Sequence, residues 1–188
     1  MSDQSASARV AFAPSAIVGL ALDDTIKAHL FGVWPVVGAW VVGGVFLLVW
    51  RPNPGHIALH QLTFRTAALI GVAQVLALWP GTSRSLATIA AALALGVTAS
   101  AAVEFSFLLG LVTLSAASLL DLAKHGGEVK DQFGLATPAL GAIVAAITAA
   151  FAVAWFIRYL RTRPLTVFGW YRLAAALATV ALVATHQV

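Results

Sequence analysis

The sequence contains no cysteine, and only 10% of its 188 residues are charged. The first absence excludes disulfide bridges and thiolate chemistry. The second excludes an ordinary water-soluble domain, whose surface requires about 25% charged residues. Hydrophobic residues make up 61% of the chain. Because a backbone in lipid must satisfy its own hydrogen bonds, this composition indicates an all-α, polytopic integral membrane protein.

The few charges leave long uncharged runs. No Asp, Glu, Lys or Arg occurs between Lys27 and Arg51, or between Asp131 and Arg158. A helix needs roughly 20 apolar residues to cross about 30 Å of hydrocarbon. The runs therefore predict membrane spans at about 31–50, 102–120, 134–157 and 167–185, with a partial span at 10–22. Polar links are expected at 121–133 and 158–164.

The net charge of +4 does not indicate nucleic acid as a partner. The basic residues form no stripe interleaved with exposed aromatics, as a nucleic-acid surface would. They fit instead the rule that cytoplasmic loops of membrane proteins are rich in Lys and Arg. The expected partner is membrane lipid, and the side predicted to be cytoplasmic carries Arg51, Arg65, Arg158, Arg161 and Arg163. The sequence leaves the oligomeric state open.

The segment 66–100 has the length of two spans, but a polar run, Pro80-Gly-Thr-Ser-Arg-Ser85, lies at its centre. Its halves, about 66–79 and 85–96, are each short for a span. Apolar segments of about 10–14 residues more often form re-entrant helices. We therefore expect a re-entrant hairpin with a buried tip; the alternative is two full spans joined by an exterior loop.

The tip has the chemistry of a phosphate site. Pro80 ends the preceding helix, and Gly81 permits the positive φ of a sharp turn. Thr82 or Ser83 can cap the next helix, whose positive N-terminal end attracts anions. Arg84 supplies a planar fork that pairs with two phosphate oxygens. The alternative is a helix cap beside an arginine that reaches the interface from an exterior turn.

The stretch from Gly71 to Ile89, GVAQVLALWPGTSRSLATI, resembles the second signature of the bacterial undecaprenyl-diphosphate phosphatase family. Shorter matches flank it in the family's order: Asp24-Thr-Ile-Lys27, Leu62-Thr-Phe-Arg65 and Glu104-Phe-Ser-Phe-Leu-Leu109. The resemblance extends from about Pro14 to the C-terminus. One departure is Leu86, where the family usually has glycine and where a larger side chain narrows the approach to phosphate.

The resemblance implies one half of an inverted-repeat fold and hydrolysis of undecaprenyl diphosphate, a polyprenyl diphosphate lipid, in the bacterial cytoplasmic membrane. That reaction recycles the lipid carrier for cell-wall synthesis and lowers sensitivity to bacitracin. By position, Arg84 and Ser83 are the catalytic candidates, and Gly81, Thr82 and Ser85 are the candidates for binding the diphosphate. A divalent cation, Mg or Ca, is also implied.

The family's first signature, a glutamate-rich run leading to Pro-x-Ser-Ser-x-Gly-His, does not precede these residues. Its glutamates and histidine would supply acid–base groups and hold the cation. We therefore expect the chain to correspond to the second half of the enzyme, as a fragment or a late start, with little activity alone. The alternative is a non-catalytic lipid-diphosphate binder or transporter, since broken helices at mid-membrane are also typical of transporters.

Other ionisable residues are weaker candidates. Asp23-Asp24 can be a metal pair, but a helix break at the interface is the simpler interpretation. Glu104 is either functional, as intramembrane carboxylates often are, or a structural partner of Arg65. Gln74 faces either a cavity or a neighbouring helix. Type-2 acid phosphatases are excluded, because the His and Asp that they need after the Ser-Arg pair are replaced by Ala90 and Ala94.

Overall fold

The computed structural model describes residues 2–162 and 165–186, and these form a helical protein with no β-strand in the described ranges. A short 3-10 turn, Leu59–Gln61, precedes the third helix and another, Val75–Leu78, follows it. This architecture confirms the all-α fold class. The seven α-helices are α1 Ser2–Leu30, α2 Val33–Val49, α3 Phe64–Gln74, α4 Arg84–Ala94, α5 Ala99–Phe133, α6 Ala136–Thr162 and α7 Thr166–His186.

Four of the helices are long and apolar enough to cross a membrane. The qualifying stretches are Gln4–Leu22, Ala99–Phe133, Ala136–Phe156 and Thr166–Thr185. The 17-residue α2 meets the end of α1, Asp24–Leu30, at an angle of 86°. Large apolar side chains of α6, such as Phe151 and Trp155, point outward. An outward apolar surface on a long helix is suited to lipid, so the chain is a multi-pass membrane protein.

Small residues bring the helices into close contact. A Cβ added at Gly71 of α3 would stand 2.1 Å from the carbonyl oxygen of Ala11 in α1. A Cβ at Gly44 of α2 would stand 3.1 Å from the carbonyl oxygen of Gly169 in α7, and the reverse approach is equally close at 3.0 Å. Packing of this kind replaces the hydrophobic effect as the force that associates helices in lipid. It produces two tight pairs, α1 with α3 and α2 with α7.

The segment 66–100 folds as two short helices joined by a tip. α3 and α4 contain 11 residues each, which gives each a length of about 17 Å at 1.5 Å per residue. At the open end, Ile57 and Val97 form a bridge in which Thr98 donates its backbone N–H to Ile57 O at 3.0 Å. The two ends of the hairpin therefore lie next to each other. Its insertion into the membrane from one side stays a prediction.

One sequence expectation about α1 is wrong. Asp23-Asp24 does not break a helix, because α1 continues through both residues to Leu30. The bend lies instead at Phe31-Gly32, before α2 begins at Val33. The helix propensity of aspartate is low, but its cost is below about 1 kcal/mol per residue and does not stop a helix, and Asp24 is exposed. The side chain of Asp23 lies outside the described part.

The expected polar links are also largely helical. α5 continues through 121–133 and ends at Gly134, whose φ of +66° is typical of a helix C-terminal glycine. Within it, His125 Nδ1 lies 3.1 Å from Asp121 Oδ1, one helical turn earlier. α6 likewise continues through 158–162, and residues 163 and 164 lie outside the described ranges. The polar residues of these two stretches therefore indicate where the helices leave the apolar phase. They do not indicate where the helices end.

Candidate functional site

The tip of the hairpin is a tight turn followed by a helix start. The backbone N–H of Thr82 donates to Trp79 O at 3.0 Å. Pro80 occupies the second position of this turn, and Gly81 occupies the third with φ +88°. Proline followed by a residue with positive φ is the pattern of a type II turn. A Cβ at Gly81 would also stand 2.8 Å from Val36 O. The prediction of a positive φ at Gly81 is confirmed. Glycine is required there both for this φ and because a side chain would collide with Val36 O.

Ser83 caps α4, which settles the choice between Thr82 and Ser83. Its backbone is extended, and its Oγ accepts the N–H of Leu86 at 3.2 Å. α4 then starts at Arg84, so the first amide groups of this helix face the tip without partners from the helix itself. The positive end of the α4 dipole therefore lies at the position where the sequence predicts a bound anion. A second hydroxyl farther along, that of Thr88, lies 2.8 Å from Ser106 Oγ and holds α4 against α5.

The tip is held in place by Arg172 of α7. Its Nη2 donates to Gly81 O at 2.8 Å and to Ala39 O of α2 at 3.0 Å. On the other side of the turn, Trp79 Nε1 donates to Pro35 O at 3.0 Å. Two side chains thus anchor the tip to α2 and α7. Sequence reasoning missed Arg172, although a lone arginine in the apolar run 167–185 was a signal of the same kind as Arg84.

Three openings surround the tip. The first, which we call the serine cavity, has a volume of about 220 Å³ and is lined by Ser83, Ser85 and Arg172 among apolar neighbours. The second, the arginine cavity, has a volume of about 310 Å³ and is lined by Arg84, with polar groups of α1, α3 and α5. The structure therefore brings Ser83 and Ser85 together, but it places Arg84 on another side of the helix start.

The third opening, the apolar groove, has a volume of about 670 Å³ and follows α4 from Thr82 at the tip to Ala94. Alanines of α4 line one wall, and α2 supplies the other wall with Val42 and Phe46. Arg172 lies at its polar end together with Thr82. An apolar channel that ends at a cationic, hydrogen-bonding tip matches the shape of an amphiphile with an anionic head.

Arg84 is half-buried and has no hydrogen-bond or ion-pair partner for its guanidinium among the described residues. The guanidinium lies over α5, where a Cβ added at Gly110 would be 3.5 Å from Nη2. A charged group in an apolar protein is costly without a partner. Its five N–H donors border a cavity, and such donors suit an anionic ligand.

Gln74 is buried in the wall of the same arginine cavity and contacts neighbouring helices as well. Its Nε2 donates to Ser15 Oγ of α1 at 2.5 Å and to Thr113 Oγ1 of α5 at 3.5 Å. Both alternatives considered for this residue, a cavity and a neighbour, are therefore true. Ser15 and Thr113 were not candidates in the sequence, because only the packing of three helices brings them to Gln74.

The acidic candidates do not reach the tip. Glu104 accepts a hydrogen bond from Ser100 Oγ at 3.3 Å, and within the described residues it forms no ion pair with Arg65. No three His, Cys, Asp or Glu side chains gather into a metal site in the described ranges. The donors at the tip are arginine, serine and threonine, which do not suit a divalent cation. The described residues at the tip therefore do not fit the implied cation.

The fold and the tip together define a polytopic α-helical membrane protein with a hairpin that presents an arginine and serines at its turn. The family model described as bacitracin resistance protein BacA matches residues 4–178. The chain belongs to this family.

Relatives from several bacteria agree with this assignment. The chain is 44% identical over 172 residues to an undecaprenyl-diphosphatase of Sorangium cellulosum, covering 87% of this chain and 56% of the relative. It is 44% identical over 177 residues to undecaprenyl-diphosphatase 2 of Rhodospirillum rubrum, and the match covers 92% of this chain and 64% of that relative. For an undecaprenyl-diphosphatase of Limosilactobacillus fermentum the identity is 40% over 181 residues, covering 92% and 65%. The chain thus spans less than two thirds of the length of these relatives.

Proposed function

We propose that this chain is the phosphate-binding portion of an undecaprenyl-diphosphate phosphatase of the bacterial cytoplasmic membrane. The enzyme would hydrolyse undecaprenyl diphosphate to undecaprenyl phosphate and inorganic phosphate. The observation that carries this proposal is the Arg84 guanidinium at the N-terminal end of α4, which has no partner among the described residues. The relatives of this chain are named for the activity.

The groups at the tip suit the reaction. Water attacks the terminal phosphorus, a new P–O bond forms, and the bond to the bridging oxygen breaks so that undecaprenyl phosphate leaves. Negative charge spreads over the three equatorial oxygens of the transferred phosphoryl group. The Arg84 fork can hold two of these oxygens, and the start of α4 adds its dipole. Stabilisation of this type is usually a large part of catalysis.

The apolar groove offers a place for the polyprenyl chain. It begins at Thr82 beside the tip and continues along α4 between alanines and the valines of α2. A lipid whose diphosphate lies at the tip would place its first isoprene units there. Leu86 lines both the groove and the serine cavity, and its effect on the approach to phosphate stays a prediction.

Proton transfer requires groups that the described part of the chain does not bring to the tip. Among the described residues, those that line the three openings include no carboxylate and no histidine. We infer that an acid–base group and the ligands of any divalent cation lie in the part of the relatives that the chain does not span. Loss of acid–base help lowers a rate by about 10²- to 10⁴-fold, so the chain alone should be close to inactive.

The test is release of phosphate from undecaprenyl diphosphate, measured for the purified chain and for the full-length relative of Rhodospirillum rubrum. We expect release by the relative, and at least about 100-fold less by the chain. Equal rates would refute the half-enzyme interpretation. Binding of the lipid by the chain and by the relative, with release by neither, would favour the binder over the enzyme.

A further inference from the structure

Two residues in the described part of the chain line both the serine cavity and the apolar groove. They are Leu86 of α4 and Arg172 of α7. The hydroxyl groups around the tip are otherwise divided, because Ser83 and Ser85 line the serine cavity and Thr82 lines the groove. The two openings therefore adjoin at Leu86 and Arg172, and a passage between them runs past these two side chains.

Arg172 is the fixed side of this boundary. Its Nη2 donates to Gly81 O at 2.8 Å and to Ala39 O at 3.0 Å. The backbone of α2 is also so close that a Cβ added at Gly43 would stand 2.7 Å from Nη2. The guanidinium cannot turn away without the loss of both hydrogen bonds, so Arg172 does not open the passage by side-chain rotation alone.

Leu86 is the other side of the boundary, and its side chain is apolar and half-buried. Its backbone N–H donates to Ser83 Oγ at 3.2 Å in the cap of α4, which fixes the position of its Cα. The side chain changes rotamer without breaking a hydrogen bond. Non-bonded carbon atoms stay about 3.5–4.0 Å apart, so each carbon atom of Leu86 takes width from the passage. The size of this side chain therefore determines whether the two openings are connected.

We propose that Leu86 is a specificity-determining residue that closes the passage between the apolar groove and the serine cavity. An amphiphile whose chain lies in the groove then keeps its head group at Thr82 and does not reach Ser83 or Ser85. The serine cavity, at about 220 Å³, is left to ligands without a long chain. The inference rests on the proposed function for the identity of the amphiphile, a polyprenyl phosphate, whose chain fits a groove that continues directly from the tip.

The experiment places a single cysteine, Ser85→Cys, in the wall of the serine cavity of a chain that has no cysteine of its own. The rates of reaction with N-ethylmaleimide and with N-dodecylmaleimide are measured for the purified chain in detergent. The short reagent needs only the serine cavity, whereas the long reagent must extend its alkyl chain beyond it. The ratio of the long-reagent rate to the short-reagent rate therefore reports whether a chain that starts at residue 85 can enter the groove.

Leu86→Ala should increase this ratio at least about tenfold, the effect of burying roughly two methylene groups in the groove. Leu86→Met conserves the volume of the side chain and should leave the ratio unchanged. Leu93→Ala is the matched control, since it makes the same change on α4 at a buried residue that lines neither opening. An unchanged ratio in Leu86→Ala, or an equal increase in Leu93→Ala, would overturn the inference.

A second measurement needs no change at Leu86, so it decides the matter even if Leu86→Ala does not fold. Undecaprenyl phosphate in micelles should slow the reaction of N-ethylmaleimide with Ala90→Cys in the groove and leave Ser85→Cys unaffected. Equal protection of both cysteines would show an open passage, and no protection of Ala90→Cys would show that the chain lies elsewhere; either result refutes the proposal.

Neither measurement depends on hydrolysis. Phosphate release by the full-length relative together with equal protection of the two cysteines would defeat this inference and keep the proposed function. Protection of Ala90→Cys alone, with no release by the relative, would keep the closed passage and defeat the proposed function.

Discussion

Removal of the Arg172 side chain should release the tip of the hairpin. Arg172 is the link between α7, the carbonyl oxygen of Gly81 at the tip and the carbonyl oxygen of Ala39 in α2. Arg172→Met keeps the length of an unbranched side chain but removes both hydrogen bonds. Both carbonyl groups lose this donor, so the docked arrangement loses stability relative to one in which the tip has moved away.

The magnitude follows from the two bonds. Interhelical hydrogen bonds in membranes average about 0.6 kcal/mol, which gives a lower value of about 1.2 kcal/mol for the pair. Bonds to charged groups contribute about 1.5 kcal/mol or more each, which gives about 3 kcal/mol. At 1.4 kcal/mol per factor of ten, the population of the released tip should increase about 7- to 140-fold.

The assay is maleimide labelling of Thr82→Cys, a single cysteine at the half-buried tip. If labelling requires the tip to open, its rate follows the population of the open state. Arg172→Met should therefore accelerate labelling by about one to two orders of magnitude. Arg158→Met is the control, because it removes the same charge from an exposed position on α6. It should leave the rate unchanged.

A matched pair of glycine substitutions tests the same contact without a change of charge. A Cβ at Gly43 would stand 2.7 Å from Arg172 Nη2, whereas a Cβ at Gly38 meets nothing within 4 Å. Gly43→Ala should displace the guanidinium and accelerate labelling, and Gly38→Ala should not. Unchanged labelling in both Arg172→Met and Gly43→Ala would refute the view that Arg172 holds the tip.

Three further predictions concern the hairpin and its chemistry. Gly81→Ala should destabilise the tip by about 1–3 kcal/mol, the usual cost of an unfavourable φ, seen as a lower midpoint of thermal unfolding in detergent; an unchanged midpoint would mean that the turn relaxes freely. Cysteines introduced at Thr63 and Val97 should label from the same side of the membrane, and labelling of Ser83→Cys by bulky impermeant reagents as fast as an exposed loop would rule out a buried tip. In a full-length enzyme, replacement of the arginine equivalent to Arg84 by lysine should lose most phosphate release, since lysine lacks the two-donor fork; undiminished turnover would reduce that arginine to an anchor for the helix end.

The local features of the tip could be predicted because local rules govern them. A glycine after proline in a tight turn and a serine before a helix each follow from backbone geometry within four residues, and both Gly81 and Ser83 adopt the predicted roles. Arg172 and Gly81 are 91 positions apart, and Gln74 and Ser15 are 59 apart. The spacing of residues in the sequence does not indicate which helices face each other. These contacts could therefore be identified only from the packed structure.

The wrong expectations share one physical cause. Asp23-Asp24 and the stretch 121–133 were interpreted as breaks because they are polar, but a helix needs only its own backbone hydrogen bonds and can continue into water. The bend before α2 occurs at Phe31-Gly32 instead. Polarity predicts where a chain leaves lipid and does not by itself predict where a helix ends.

The two arginines at the tip differ in their hydrogen bonds, and this difference indicates their roles. Arg172 uses Nη2 for two backbone carbonyls, which holds its guanidinium against the turn, while its buried Nε has no partner among the described residues. Arg84 has no hydrogen-bond partner in the described chain and lines the arginine cavity. A guanidinium that is bound to carbonyls holds a turn in place, whereas a free one is available for a ligand. By holding the turn, Arg172 fixes the position and direction of α4. A charge such as Arg84 that is already in place can stabilise a transition state without a rearrangement of the site during the reaction.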